Sequence, residues 1–304
     1  MHLFRKRTCM LPANLFKDAR YFQILFQSIF LSYGIFFLHW QNEGWLYVTY
    51  FLTSIVTQFL CELAFGKNEQ PVLASFKKGI PSVLISSFGL SLLLKTNLLW
   101  IAVFAAFVSI LSKYIICMNG KHIFNPSALG IVAAILLTGK AWVSPGQWGS
   151  GIVILFAVLC LGYIVVTKVQ NLSASLSFLG VFAGLLFIRQ IIYLGWPMDY
   201  FLQSISTGSL LLFSFFMITD PKTTPNHSMA KIIWCAAIAA VAFYLASFKF
   251  INAAPIFVLV FAQPLVPLLD KLFKAKNFQW SNTIKHISIN EYSIKPFSHI
   301  QSYN

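Results

Sequence analysis

Asn119-Gly120-Lys121-His122-Ile123-Phe124-Asn125-Pro126-Ser127-Ala128-Leu129-Gly130 crowds polar, cationic, helix-starting and small residues together inside an otherwise apolar chain. The side-chain oxygen of Asn125 suits an N-cap, where it accepts a bond from a free backbone N–H. Pro126 at the first helical position gives up an N–H that has no partner there. A helix therefore starts at Pro126. From Pro126 to the break at Thr138-Gly139 it covers roughly 20 Å at 1.5 Å per residue, short of the roughly 30 Å of a bilayer's hydrocarbon. Either this helix begins within the membrane or its neighbours thin the bilayer around it. A helix that begins at membrane depth aims free N–H groups and a positive dipole end into a protein-lined cavity, an arrangement that holds anionic or polar ligands.

The rest of the chain requires a membrane. Of its 304 residues 58% are hydrophobic and 10% charged, with a mean hydropathy of +0.75. A soluble domain carries about a quarter of its residues as charges. The net charge of +14 suggests nucleic acid only until the charges are placed between apolar spans; membrane topology explains them, and no nucleic-acid partner is expected. Cys9, Cys61, Cys117, Cys160 and Cys235 show no metal-ligand spacing, so neither a disulfide framework nor a metal site is expected.

Apolar runs separated by polar or Gly/Pro breaks predict an all-α, polytopic membrane fold of about ten spans. Their limits fall near 21–40, 44–62, 79–95, 97–113, 126–138, 150–168, 172–192, 203–219, 231–248 and 252–269. Residues 1–20 read as a cytoplasmic lead-in, 21–270 as the transmembrane domain and 271–304 as a cytoplasmic tail. With the N-terminus inside, Lys and Arg divide 18 to 4 between the two sides, which puts both termini in the cytoplasm and favours an even span count. Five spans before the Gly139–Gly149 break and five after it give two halves of opposite orientation, a 5+5 inverted repeat. Trp40, Trp45, Trp100, Trp142, Trp148 and Trp196 fall at the outer span ends, where an aromatic belt is expected.

A second polar constellation follows the eighth span: Met217-Ile218-Thr219-Asp220-Pro221-Lys222-Thr223-Thr224-Pro225-Asn226-His227-Ser228. Its Asp-Pro and Thr-Pro steps force a turn, and Thr219 or Asp220 can cap what begins at Pro221. By the charge count both loops are cytoplasmic, so they are able to converge on one site. Lys121 and Lys222 read either as positive-inside anchors or as cations that draw a phosphate toward a helix start. His122 and His227 read as solvated loop residues or as ligand contacts, and Asp220 as a cap or a contact. Ser127, Gly130 and Ala134 share a face at small-residue spacing, which favours close helix packing. The candidate binding set is Lys121, His122, Asn125, Ser127, Thr219, Asp220, Lys222 and Thr223, with no catalytic residue and no metal ligand.

At these loops the chain resembles the NqrB/RnfD family, the B subunit of the sodium-pumping NADH:quinone oxidoreductase and the D subunit of the Rnf electron-transport complex. Gly120-Lys121-His122-Ile123-Phe124-Asn125-Pro126-Ser127-Ala128-Leu129-Gly130 and Phe216-Met217-Ile218-Thr219-Asp220-Pro221-Lys222-Thr223-Thr224-Pro225 carry the likeness, and their wording is most similar to the short RnfD-like forms of enediyne gene clusters. The resemblance implies a ten-helix inverted-repeat bundle that binds flavin and serves transmembrane electron transport beside other electron-transport subunits, not an enzyme alone. Respiratory members attach FMN covalently to a threonine in an S-G-A-T type motif. Neither Ser206-Thr207-Gly208-Ser209 nor Ser173-Ala174-Ser175 matches it, and the Lys168–Asn171 loop is too short for an inserted attachment segment. The flavin expected is therefore noncovalent FMN or riboflavin. Beside the redox subunit stand two other readings, a transporter of flavin or another small polar solute, and a scaffold subunit without a filled site. Membrane lipid surrounds the protein in each.

Overall fold

Helix α5, Pro126–Thr138, starts and stops where its sequence signals fall. Asn125 caps it and Gly139 ends it in the left-handed conformation at φ 62°, a geometry that glycine adopts at little cost. The computed structural model describes residues 18–40, 44–66, 71–118, 121–148, 161–164, 166–167 and 171–275. Most of the expected span at 150–168, residues 119–120 and 168–170, and the lead-in and tail beyond these limits lie outside the described residues.

Four helices precede α5: α1 (Ala19–Phe36), α2 (Gly44–Phe65), α3 (Val72–Leu93) and α4 (Leu99–Ile115). α1 buries Gln23, Phe26, Gln27, Phe30, Leu31 and Gly34, a stripe at helical spacing that leaves the opposite face for lipid. α3 is buried almost throughout its second half, and α5 packs between it and α4. The contact with α4 is close because Gly130 has no side chain: a Cβ there would lie 2.5 Å from the Ala105 carbonyl oxygen. Across α3, a Cβ on Gly89 would meet the Ser127 side chain at 2.9 Å. Small residues at such crossings let backbones approach, which matters in lipid, where association rests on packing.

After α5 come α6 (Leu172–Phe187), α7 (Met198–Ile205), α8 (Gly208–Leu212), α9 (Ser228–Phe248), α10 (Ala254–Ala262) and α11 (Val266–Leu272). α6 widens into a π-helical turn at Ile188–Tyr193, and α8 into another at Phe213–Met217. In the second, the Ile218 N–H reaches back five residues to the Phe213 carbonyl. α6 packs along α9, α9 against α10, and α10 against α5, so the α5–α10 contact joins the two groups of helices.

Among the described residues four helical stretches are long and apolar enough to cross a membrane: 44–65, 172–193, 228–248 and 254–272. They become five if α7 and the 208–217 segment, bent by 47° at their break, count as one. α1 and α3 are not among them, and the polar residues they carry, Gln23, Gln27, Ser82 and Ser86, turn inward to a cavity.

Each end of the bundle is tied by a short antiparallel pairing. At one end β1 (Leu94–Thr96) pairs with β4 (Ala141–Val143), beside Trp40, Lys95 and Trp148. At the other β2 (Cys117–Met118) pairs with β3 (Lys121–His122), next to Lys222 and Asp270. The expected belt is only partly a belt. Trp45, Trp100, Trp142 and Trp196 are exposed, whereas Trp40 and Trp148 are core residues packed edge to face at 5.0 Å. Trp40 covers Gly34 and Trp148 covers Gly208, two spaces that only glycine leaves open.

Candidate functional site

Asn125 joins three elements at once. Its Oδ1 accepts the Ala128 N–H at 3.2 Å and the Ser127 hydroxyl at 2.9 Å. Its Nδ2 donates to the Met217 carbonyl at 3.4 Å, which ties α5 to the turn that follows α8. Its backbone N–H donates to Gln263 Oε1 at 2.9 Å. Gln263 is fully buried and sits at the break between α10 and α11. Sequence reading missed it, although a glutamine before Pro264 inside an apolar run is a signal for a broken helix.

The turn after α8 is built by Asp220. Its Oδ1 accepts the Lys222 N–H at 3.0 Å, and its carbonyl accepts the Thr223 N–H at 3.1 Å and the Thr224 hydroxyl at 3.0 Å, an Asx-type turn that closes on itself. Thr219 donates its hydroxyl back to Phe215 at 2.6 Å. Thr223 is buried and bonded within the turn. Behind the turn, buried Lys231 donates to Asn171 at 2.5 Å, and Asn171 donates to the Thr219 carbonyl at 2.8 Å. Lys231 thus holds the turn against the start of α6 and is more than a loop anchor. Lys113 is likewise buried near the end of α4, donating to the Ser82 carbonyl and hydroxyl.

The two loops meet. A cavity of about 90 Å³ is lined by His122, Asn125, Ser127, Thr219, Asp220 and Lys222 from the loops, and by Arg20, Gln23, Gln27 and Ser86 from α1 and α3. A wider vestibule of about 490 Å³ adjoins it, with Lys78, Lys113, Glu62 and Tyr114 on its walls. A groove of about 360 Å³ lies on the other side, against α11. His122 and Lys222 line all three. The Lys222 ammonium has no hydrogen-bond partner among the described residues, and Gln27 Oε1 and His122 Nδ1 are buried without one.

Thr223 and Lys121 differ from the rest of the candidate set. Neither lines the cavity beneath Asn125. The Lys121 ammonium is engaged by Asp270 at 2.9 Å, by Asn226 at 2.6 Å and by the Thr224 carbonyl at 3.2 Å, so it clamps the hairpin to α11 and to the turn. Lys121→Ala is accordingly expected to lower the melting temperature of the purified protein. An unchanged melting temperature would show the clamp to be energetically idle, as exposed ion pairs often are.

Burial sets the charge states here. It pushes the His122 imidazole down to about 3 from its ordinary 6.5, helped by the Lys222 and Lys113 charges. Burial also lowers Lys222, against the pull of Asp220, and raises the Asp220 carboxyl, against the Lys222 N–H and the surrounding lysines. Because folding depresses the His122 value, its contribution to stability is complete above about 6.5 and is lost as pH falls from there toward 3. The raised Asp220 value works in the opposite sense, so the comparison with a variant isolates the histidine. Melting temperatures followed from neutral to acid pH should fall more steeply for the native chain than for His122→Gln. Parallel curves would place the histidine in water.

Helices of this apolarity around a polar, cation-lined cavity define a multi-pass membrane protein. Over residues 136–279 the chain matches the model of the NQR2, RnfD, RnfE family. The matched region begins inside α5, so it includes the Thr219–Lys222 turn and leaves Asn125 outside. Among curated proteins none matches the chain.

Proposed function

We propose that the protein is a membrane subunit of transmembrane electron transport that holds FMN or riboflavin noncovalently in the cavity between Asn125 and Lys222. The observation that carries this reading is the convergence of a capped helix start and the Asp220 turn on one cavity, with the Lys222 ammonium making no hydrogen bond there among the described residues. The lining fits a flavin in kind, and because about 90 Å³ admits only part of one, the rest of the ligand would extend into the adjoining vestibule of about 490 Å³. Gln23, Gln27, Asn125 and Thr219 offer donors and acceptors for a heterocycle's polar edge, while Leu92, Leu93, Leu212 and Phe216 offer apolar contact for its faces. Lys222, Arg20 and the dipole end of α5 favour a phosphate. When bound, the flavin supplies the redox chemistry; the chain binds and orients it and limits water around it. Neither Thr207 nor the Ser173–Ser175 string lines this cavity, which supports noncovalent binding. Ten spans in inverted halves, with both termini in the cytoplasm, would put the cavity on the cytoplasmic side, where other electron-transport subunits exchange electrons with it.

The vestibule of about 490 Å³ beside the cavity favours a second reading, a transporter that admits flavin or another small polar solute from the same side. The absorption spectrum of the detergent-solubilised protein tests both. A reducible flavin band in the native preparation, absent from the protein band after denaturing electrophoresis, is expected for the redox subunit. A flavin that binds when added but exchanges freely points to transport. A fluorescent denatured band would overturn noncovalent attachment, and no flavin under any condition would overturn the flavin reading.

A further inference from the structure

Two glutamines on α1 reach the cavity with nothing in the protein to bond. Gln23 and Gln27 stand one helical turn apart, are buried at 9% and 4% exposure, and both line the cavity. Neither side-chain amide makes a hydrogen bond among the described residues, and Gln27 Oε1 is wholly buried without a partner. A buried amide left unbonded destabilises a fold, and polar side chains inside a membrane are rarely kept without a use. Because no protein atom holds either group of the Gln27 amide, its end is free to turn oxygen and nitrogen together toward a ligand. The cavity also has a direction. Arg20 on α1 and Ser82 on α3 line both the cavity and the vestibule, which puts them at the mouth. Gln27 and Gly89 lie two turns further along the same two helices, about 10 Å at 1.5 Å per residue, and line the cavity but not the vestibule. Gln23 stands between Arg20 and Gln27.

An oxidised flavin has one edge that matches two such amides. Its imide carries the N3–H between the C2 and C4 carbonyls, so it presents acceptor, donor and acceptor in a row. An amide presents an acceptor beside a donor; one glutamine can therefore accept N3–H while giving an N–H to a flanking carbonyl, and a second can give to the other carbonyl. We propose that Gln27 binds N3–H and the C4 carbonyl while Gln23 donates to the C2 carbonyl, which lays the imide edge of the ring against α1, a placement that rests on the flavin reading. The C2 side of the ring is the side of N10, which carries the ribityl chain. With that side at Gln23, the chain leaves toward the mouth, where Arg20 and Lys222 meet its phosphate.

The test titrates the full chain in neutral detergent with FMN and with 3-methyl-FMN, in which a methyl group replaces the N3 proton. Native protein should bind FMN on the order of tenfold more tightly, the effect of leaving a buried acceptor without its donor. Gln27→Met, close in shape and without the amide, should bind FMN about tenfold more weakly and no longer separate the two flavins. Its melting temperature without ligand should not fall, since the amide bonds nothing in the fold. Gln23→Met should weaken both flavins alike and keep the preference, because both carry the C2 carbonyl. Equal affinity of the native chain for the two flavins would overturn the proposal and leave the flavin reading standing. A preference that persists in Gln27→Met would overturn it too, because space alone would then exclude the methyl group. Binding of neither flavin to the native chain would overturn the flavin reading and, with it, the role of both glutamines. If Gln27→Met does not fold, Gln27→Leu takes its place.

Discussion

Lys222→Gln is expected to weaken FMN binding by roughly one to two orders of magnitude, the range that follows from removing a hydrogen bond to a charged group, while the melting temperature stays close to native. The two halves of this expectation come from one fact. The Lys222 ammonium makes no hydrogen bond within the described protein yet lines the cavity beneath Asn125, so its removal breaks no hydrogen bond of the fold, leaves the other lysines around Asp220 in place, and takes one cation from the ligand. Its turn is held by other atoms: the Asp220 carboxylate takes the backbone N–H of residue 222, a bond that glutamine keeps. Riboflavin lacks the phosphate, so its affinity should change far less than that of FMN, and the difference should shrink in high salt. Titration of both flavins into native and variant protein makes the measurement. Equal losses for the two would remove the phosphate from the Lys222 side of the cavity, and unchanged FMN affinity would remove the ligand altogether.

Much of the site was legible because its chemistry is local. An Asn-Pro step followed by small residues predicts a capped helix, and α5 runs from Pro126 to the Thr138–Gly139 break as the spacing implied. The Asp-Pro turn was legible for the same reason. Lysine is harder to read. Lys121, Lys222 and Lys231 look alike as loop cations in sequence, yet one is clamped by a carboxylate, one lines a cavity and one is buried against Asn171. What separates them is the distant residue that each meets, Asp270 for Lys121 and Asn171 for Lys231, and no local pattern carries that information. Trp40 and Trp148 fit belt positions on the same local logic. Their burial depends on Gly34 and Gly208 leaving room for the rings. Gln263 was hidden by its apolar surroundings, since a single amide barely lowers the hydropathy of a span while deciding where its backbone partner sits.

Asn125→Ala should cost more stability than any other single change in the candidate set. Three losses add. The cap on α5 goes, typically about 0.5–2 kcal/mol. The Ser127 hydroxyl and the Met217 carbonyl lose a partner in a buried place, on the order of 1–3 kcal/mol for an unsatisfied group. The turn that carries Asp220 is also released from the helix start, because the Nδ2 bond to Met217 is a direct side-chain tie between them. A total of about 2–4 kcal/mol is expected, with flavin affinity falling at the same time. Asn125→Asp separates the contributions. It keeps an acceptor for the Ala128 N–H and the Ser127 hydroxyl, so most of the cap should return. It cannot donate to Met217, and it puts a negative charge at the cavity wall where a phosphate is expected, so flavin affinity should stay low. Melting curves and flavin titrations on the two variants make the comparison. A stable Asn125→Ala chain that still bound flavin would mean that the two loops meet without depending on each other, and the proposed site would lose its central residue.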